Sequence, residues 1–302
     1  MQQFLGVDIG GTHTRLIVMD AQQQFSGYRK VKTAEWAQQP QPLQGLTDLI
    51  GAALPALGET RVMLGLPGIL SRDRARVLSL PFIPALNDQP VAAQLAQALG
   101  VEVRMDKDVN HLMWWDLTRL PQLPRVAAGV YLGTGMGNSL WLDGAFYHGA
   151  HGAAGELGHI PWPGLETQCR CGKQGCVESV TAGHWLAAWA AEHAPGTAIG
   201  ALFVEQGAHP DVQAFITRLA QAIATEMNIL DPEHLVLGGG VLAMPGFPQA
   251  TLVAQIRAHL RAPQPASGLA ITFSDVTDET GCRGACLAAA RDPLFSGSRR
   301  QA

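Results

Sequence analysis

The sequence predicts an α/β protein of two related halves, and three observations carry that expectation. A strand, a glycine-rich turn and a second strand occur twice, at an offset of 123 residues that pairs Gly10 with Gly133 and Asp20 with Asp143. At 302 residues and 47% hydrophobic content, the chain is long enough to bury one large core or two medium ones. Apolar residues at Val212, Phe215, Ile216, Leu219, Ile223 and Met227 recur at helical spacing ahead of the buried-type strand His234-Leu235-Val236-Leu237, an αβ unit that ends in Gly238-Gly239-Gly240.

The first repeat runs Phe4-Leu5-Gly6-Val7-Asp8-Ile9-Gly10-Gly11-Thr12 and returns through Arg15-Leu16-Ile17-Val18-Met19-Asp20. The second runs Val130-Tyr131-Leu132-Gly133-Thr134-Gly135-Met136-Gly137 and returns through Ser139-Leu140-Trp141-Leu142-Asp143-Gly144. Glycine at such turns admits positive φ and lets amide N–H groups approach an anion closely, as in loops that cradle phosphate. The competing reading is a hairpin turn that demands glycine on steric grounds alone. Recurrence of the unit, each time with a trailing Asp, favours a polyphosphate gripped from both sides of a cleft. No Gly-Lys-Ser/Thr follows the glycines, and each loop returns to a strand instead of opening a helix. That pattern is neither a Walker A loop nor a dinucleotide fingerprint, and it argues against a nicotinamide cofactor.

Between the repeats, Val103-Arg104-Met105-Asp106-Lys107-Asp108-Val109-Asn110 reads as a short strand leading into a helical pattern from His111 through Asp116. Phosphoryl transfer to an alcohol needs alignment, charge neutralisation and a carboxylate to accept the hydroxyl proton, which Asp106 or Asp108 offers. The competing reading makes both aspartates caps of the helix that starts near Val109.

After the second repeat, Gly155-Glu156-Leu157-Gly158-His159 precedes Cys169-Arg170-Cys171-Gly172-Lys173-Gln174-Gly175-Cys176-Val177-Glu178. One imidazole and three thiols in so short a stretch match the ligand set of a closed tetrahedral Zn²⁺ site. A disulfide framework competes less well, because three cysteines leave one unpaired and no secretory signal is present. The flanking Glu156 and Glu178 would be held rigidly by such a loop, an arrangement suited to binding a polyol. Cys282 and Cys286 read as small core residues, as does the apolar helix around Trp185, Leu186 and Trp189, for which a dimer face is the alternative. The Gly238-Gly239-Gly240 cluster ends a strand where ligands usually bind in α/β proteins, so adenine and ribose would lie on bare backbone; a plain strand-to-helix loop is the other reading. Ser296 to Ala302 reads as a disordered tail.

Composition narrows the partners. Charged residues make up 15% of the chain, the net charge is −4 and the pI is about 6.2, which leaves no electrostatic footprint for nucleic acid. No apolar run of about 18 residues passes without glycine or charge, and no basic leader opens the chain, so a cytoplasmic protein without a membrane segment is expected.

The blocks Asp8-Ile9-Gly10-Gly11-Thr12, Leu132-Gly133-Thr134-Gly135-Met136-Gly137, Gly155-Glu156-Leu157-Gly158-His159 with its cysteines, and Leu237-Gly238-Gly239-Gly240-Val241 together resemble the ROK family of sugar kinases. The resemblance implies the two-domain actin-like and hexokinase-like ATPase fold, ribonuclease H-like duplicated α/β domains about an inter-domain cleft. The first domain would cover 1–109, with a C-terminal helix at about 289–302 packing on it, and the second 110–288. ATP, Mg²⁺ and a structural Zn²⁺ are the implied cofactors. By resemblance Asp8 orients Mg²⁺, Gly10, Gly11, Thr12, Gly133, Thr134, Gly135 and Gly137 bind phosphates, and Gly238, Gly239 and Gly240 line the nucleoside. Asp108 is the implied catalytic base, Lys107, Asn110, Glu156, His159 and Glu178 contact the sugar, and His159, Cys169, Cys171 and Cys176 hold the zinc. A homodimer is implied as well.

Two departures from the family pattern stand out. Members acting on glucose usually carry Asn-Asp-Ala-Asn where this chain has Lys107-Asp108-Val109-Asn110, and many relatives carry lysine where His13 stands. With the runs Gly149 to Pro161 and Met244 to Pro248, that block is most similar to the bacterial D-allose kinases of the family, which implies phosphorylation of D-allose at O6. Glucose, fructose, mannose, N-acetylmannosamine and N-acetylglucosamine remain alternatives, as does a non-catalytic sugar sensor. The repressors of the family carry a helix-turn-helix ahead of the first glycine loop, and the seven residues before Asp8 leave no room for one.

Overall fold

The structure, a computed structural model, describes residues 2–55 and 59–291. It divides into two compact units. The first contains β1 (Gln2–Ile9), β2 (His13–Asp20), β3 (Phe25–Lys32), β4 (Glu59–Leu66), the short pair β5 (Ile69–Leu70) and β6 (Val77–Ser79), and β7 (Glu102–Lys107). Its main sheet runs β3-β2-β1-β4-β7, antiparallel across β3, β2 and β1 and parallel across β1, β4 and β7. β1 is central and apolar on both faces, as a strand covered on both sides must be. Leu5, Val7 and Ile9 pack with Trp36, Leu46 and Leu95 on one face. Phe4 joins Ile17, Met63, Cys282 and Cys286 on the other. β3, at the edge, carries Arg29, Lys30 and Lys32, charges that discourage pairing with another chain.

The second face of this sheet is covered by the helix Thr280–Arg291. It lies so close that a Cβ on Gly6 would come within 1.9 Å of the Cys282 carbonyl oxygen. The helix Asp108–Leu117 packs on it in turn, at Gly284, where a Cβ would stand 2.0 Å from the His111 carbonyl oxygen. Those contacts draw the first unit beyond the expected boundary at 109. It runs to Pro121 and takes in His148–Ala154 and the described residues from 277 to 291. Of the helix expected at about 289–302, residues 289–291 end the helix Thr280–Arg291, and 292–302, including the expected tail, lie outside the described residues.

The second unit comprises Gln122–Tyr147 and Gly155–Val276. Its strands are β8 (Val126–Leu132), β9 (Met136–Leu142), β10 (Ala145–Phe146), β11 (His234–Gly238) and β12 (Ala270–Phe273). The sheet order is β10-β9-β8-β11-β12, with the same pattern of antiparallel and parallel pairs as the first. The duplication seen in two strands therefore extends to the whole sheet. The helix Pro210–Leu230 buries Val212, Phe215, Ile216, Leu219, Ile223 and Met227 against it, the set that the helical spacing predicted. Leu186 and Trp189 of the helix Gly183–His193 are in the same core, and Trp185 stacks on Phe215 at 5.7 Å between centroids. No helix among the described residues is long and apolar enough to cross a membrane.

The trailing aspartates of the repeats belong to turns. Asp20 Oδ1 accepts the N–H groups of Gln22 and Gln24, both at 2.9 Å. Asp143 takes φ of 48° ahead of Gly144 and pairs with Arg125 at 2.7 Å. They had weighed toward a functional reading of the loops, and their geometry is that of hairpin formers.

Candidate active site

In the first unit, β1 and β7 run parallel on either side of β4, so Asp8, near the end of β1, and Asp108, directly after β7, lie at the same edge of the sheet. Burial, and then the Asp108 carboxylate, push Asp8 up to about 7, with Arg15 opposing them. Arg15 Nη1 stands 3.6 Å from Asp8 Oδ2, and its Nη2 donates to Asp278 Oδ1 at 3.0 Å. Asp278 Oδ2 also accepts from Lys30 Nζ at 2.6 Å. Behind Asp8 lies Gly281, on which a Cβ would come within 2.7 Å of the Asp8 Cγ. In the adjoining loop Thr33 Oγ1 donates to the Gly10 carbonyl at 2.6 Å, and Thr33 N–H donates to that of Thr12 at 2.9 Å.

Asp106 and Asp108 part company here. Asp106 pairs with Arg74 Nε at 3.0 Å and accepts the Lys107 N–H at 2.8 Å, with His148 Nδ1 4.0 Å away and in contact with Arg74 Nη2. It is therefore a member of an ion-pair cluster, while Asp108 opens the first turn of its helix. Lys107 Nζ donates to the Ala154 carbonyl at 3.1 Å, and Asn110 is buried. Three residues into the same helix, His111 is buried with neither ring nitrogen partnered, and burial pushes it down to about 4, so it is neutral.

In the second unit, the loop Gly133-Thr134-Gly135 meets the start of the helix Gly183–His193. Gly183 N–H donates to the Gly133 carbonyl at 2.9 Å. The Thr134 carbonyl accepts both the N–H of His184 at 3.0 Å and its Nδ1 at 2.9 Å. Glu178 Oε2 accepts the Met136 N–H at 2.8 Å, so one oxygen of this expected sugar contact braces the loop. The Gly238-Gly239-Gly240 cluster adjoins the end of β8: Val241 N–H donates to Leu132 O at 3.0 Å, and Gly239, at φ 97°, has no room for a Cβ, which would lie 2.4 Å from that oxygen. The two glycine clusters are thus contiguous.

The donor atoms of His159, Cys169, Cys171 and Cys176 lie within 4.8 Å of one another. Cys171 and Cys176 sulfurs are 3.6 Å apart, and Cys169 Sγ is 3.7 Å from His159 Nδ1. Ligands at zinc bond lengths on a tetrahedron are separated by ~3.5–3.8 Å, and both of these pairs match that spacing, so the donor set is of the right chemistry and size for Zn²⁺. The turn is closed by Cys169 N–H to Lys173 O at 2.7 Å and Gly172 N–H to Cys169 O at 3.1 Å, with Gly172 at φ 94°. His159 Nε2 faces Glu156 Oε2 at 3.8 Å, the orientation in which a carboxylate steadies a ligating imidazole. All five cysteines are free thiols.

The structure thus gathers Asp8, Asp108 and the Gly10–Thr12 loop in the first unit, and the other two glycine clusters, Glu156, Glu178 and the thiol set in the second. Sequence reasoning missed Arg15, Asp278 and Gly281 around Asp8, Arg74 and His148 around Asp106, and His184. Arg15 faces Asp8 across the β1–β2 hairpin, a pairing that the strand-turn-strand pattern could have shown; apart from His184, directly after a glycine at a helix start, the others meet partners far away along the chain.

A family model described as the ROK family matches residues 4–292. An N-acetyl-D-glucosamine kinase of Pectobacterium carotovorum is 31% identical over 259 residues, 79% of this chain and 84% of that protein. One from Yersinia pseudotuberculosis is 32% identical over 258 residues, with the same coverage. Among solved structures, a ROK family glucokinase from Streptomyces griseus, in complex with glucose and AMPPNP, is 24% identical with a TM-score of 0.77, covering 96% of this chain and 100% of that one. A putative N-acetylmannosamine kinase from Listeria monocytogenes is 18% identical with a TM-score of 0.79, covering 96% and 99%. Those structures share the fold, and with the family match across nearly the whole sequence they lead to one conclusion: the chain belongs to the ROK family.

Proposed function

We propose that this protein is an ATP-dependent sugar kinase that transfers the γ-phosphoryl group of ATP to a hydroxyl, O6, of a hexose or N-acetylhexosamine. The observation that carries the proposal is the pair of carboxylates Asp8 and Asp108 at one sheet edge beside a glycine loop whose carbonyls are already bonded. Such a pair suits a cation and a proton transfer together. Asp108 would take the proton of the attacking hydroxyl. Asp8 would hold Mg²⁺, and the mutual repulsion of two nearby carboxylates fits a cation there. That ion would neutralise charge on the phosphates. Gly10 to Thr12 and Gly133 to Gly137 would bind phosphate oxygens, and Gly238 to Gly240 the nucleoside. Asn110, Glu156, His159 Nε2 and Glu178 would orient sugar hydroxyls. The thiol set and His159 Nδ1 would hold Zn²⁺ with all four positions filled, which leaves none for activating water, so the metal would be structural.

The named kinases among the relatives support N-acetyl-D-glucosamine as the acceptor to test first. D-Allose is the second reading, supported by Lys107-Asp108-Val109-Asn110 and its companion blocks. The Lys107 ammonium, however, is engaged by the Ala154 carbonyl, which counts against a direct contact with the sugar. The family resemblance also supports a homodimer, which light scattering would test.

The deciding experiment is coupled ADP release from the zinc-replete protein over D-allose, D-glucose, D-mannose, D-fructose, N-acetylglucosamine and N-acetylmannosamine. Turnover on N-acetylglucosamine well above the rest is the expected result. Preference for D-allose would restore the second reading, and no turnover on any of the six would revive the reading as a non-catalytic sugar sensor.

A further inference from the structure

We infer that His184 is a positioning residue of the second glycine loop: it pins the Thr134 carbonyl by two hydrogen bonds, so that the N–H groups of Thr134 and Gly135 project away as a seat for a nucleotide phosphate. The inference rests on the kinase reading and adds a residue which that reading did not contain.

In a planar trans peptide the N–H and C=O point in opposite directions. The Gly133 carbonyl is aimed at Gly183 N–H, at 2.9 Å, and the Thr134 carbonyl at His184, whose N–H and Nδ1 stand 3.0 and 2.9 Å from it. The N–H groups sharing those two peptide planes belong to Thr134 and Gly135, and both must face away from the helix. A carbonyl accepts only, so Nδ1 carries the hydrogen and the ring is committed to the loop. The outer amides are spent: Gly133 N–H on Gly135 O at 3.0 Å, and Met136 N–H on Glu178. Among the described residues neither Thr134 N–H nor Gly135 N–H donates to any group, which leaves two adjacent donors of the kind that bind phosphate oxygens.

The first unit supplies an independent parallel. There Thr33, directly before the helix Ala34–Ala37, pins two carbonyls of the Gly10–Thr12 loop, one through its hydroxyl and one through its N–H. One residue ahead of or at the start of a helix makes two bonds to the loop in each half, by different side-chain chemistry. Gly183 completes the arrangement in the second half, since a Cβ there would lie 2.4 Å from the Gly133 oxygen.

The test is His184→Ala, which keeps the backbone bond and removes that of the ring, beside His184→Asn, whose amide can restore a donor near the place of Nδ1. KM for ATP should rise roughly 5- to 10-fold in the alanine variant, with kcat and the sugar KM within about twofold, and asparagine should recover most of the loss. By calorimetry ADP and inorganic tripolyphosphate should weaken by a similar factor, while adenosine does not. Equal ATP KM and equal tripolyphosphate affinity in wild type and alanine variant, or an equal loss for adenosine, would overturn the inference alone. Wild-type protein that neither turns over ATP nor binds ADP or tripolyphosphate would overturn the kinase reading, and the seat with it. If the alanine variant does not fold, the asparagine variant carries the test: it must keep both affinities within about threefold of wild type, and a larger loss for the folded variant overturns the inference.

Discussion

The two sheets have the same strand order and the same turn between their first two strands, yet their strand ends differ in chemistry. At the 123-residue offset the counterpart of Asp8 is Tyr131, whose ring packs against Gly238 instead of facing a second carboxylate. The first unit has charge at its sheet edge: Asp8, Asp108, Arg15 and Asp278. The second has bare glycine backbone at the equivalent edge and a thiol-rich loop beside it. The repeated topology makes two similar loops, and under the proposed function single side chains on the strands would decide which half holds the cation and the base and which receives nucleotide.

If that division is right, the largest effect belongs to the first unit. Asp108→Asn should lower kcat by about 10³-fold without lowering the melting temperature; turnover within tenfold of wild type would break the assignment of the base. Next come two glycines at the first turn of a helix, one in each half. Gly281→Ala would push a methyl group to 2.7 Å from the Asp8 carboxylate carbon, and kcat should fall on the order of 10²-fold. Gly183→Ala would press on Gly133 O instead, and should raise the ATP KM about tenfold with a smaller change in kcat. Steady-state kinetics on both would show whether the halves do different work, and identical kinetic signatures would collapse the distinction.

Stability should divide in the same way. Cys176→Ser, at a buried thiol of the proposed zinc set, should abolish the zinc that metal analysis is expected to find in wild type and lower the melting temperature by about 5 °C or more. Asp8→Asn should do the reverse. Asp8 is raised from 3.8 to about 7 on folding, so between those values the folded state holds a proton that the unfolded state has lost, and stability falls as pH rises. The variant should therefore be no more stable than wild type at pH 4, gain progressively up to pH 7, and hold a gain of up to about 4 kcal/mol above it, as urea melts would measure. A gain that shrinks with rising pH would mean that Asp8 is not held against its charge.

Much of the site was legible because its signals are local. The Cys169, Cys171, Cys176 spacing marks one turn, and the glycines of both loops sit between strands that alternate as strands do. The role of Asp106 was not legible, because Arg74 and His148, which claim it, come from a hairpin and a segment remote in sequence. Asp20 and Asp143 misled for the opposite reason: a turn-forming aspartate has the same spelling as a catalytic one.

The sequence by itself determined the duplicated strand-turn-strand units, the clustering of His159 with Cys169, Cys171 and Cys176, and the helix Pro210–Leu230, since each follows from residues within a few turns of one another. Only the tertiary structure decided that Thr280–Arg291 returns to the first sheet and seats Gly281 behind Asp8, and that His184 closes on Thr134. Such contacts depend on close approach between segments distant along the chain, where the absence of a Cβ or one ring nitrogen matters, and no periodicity or spacing encodes which segments will meet.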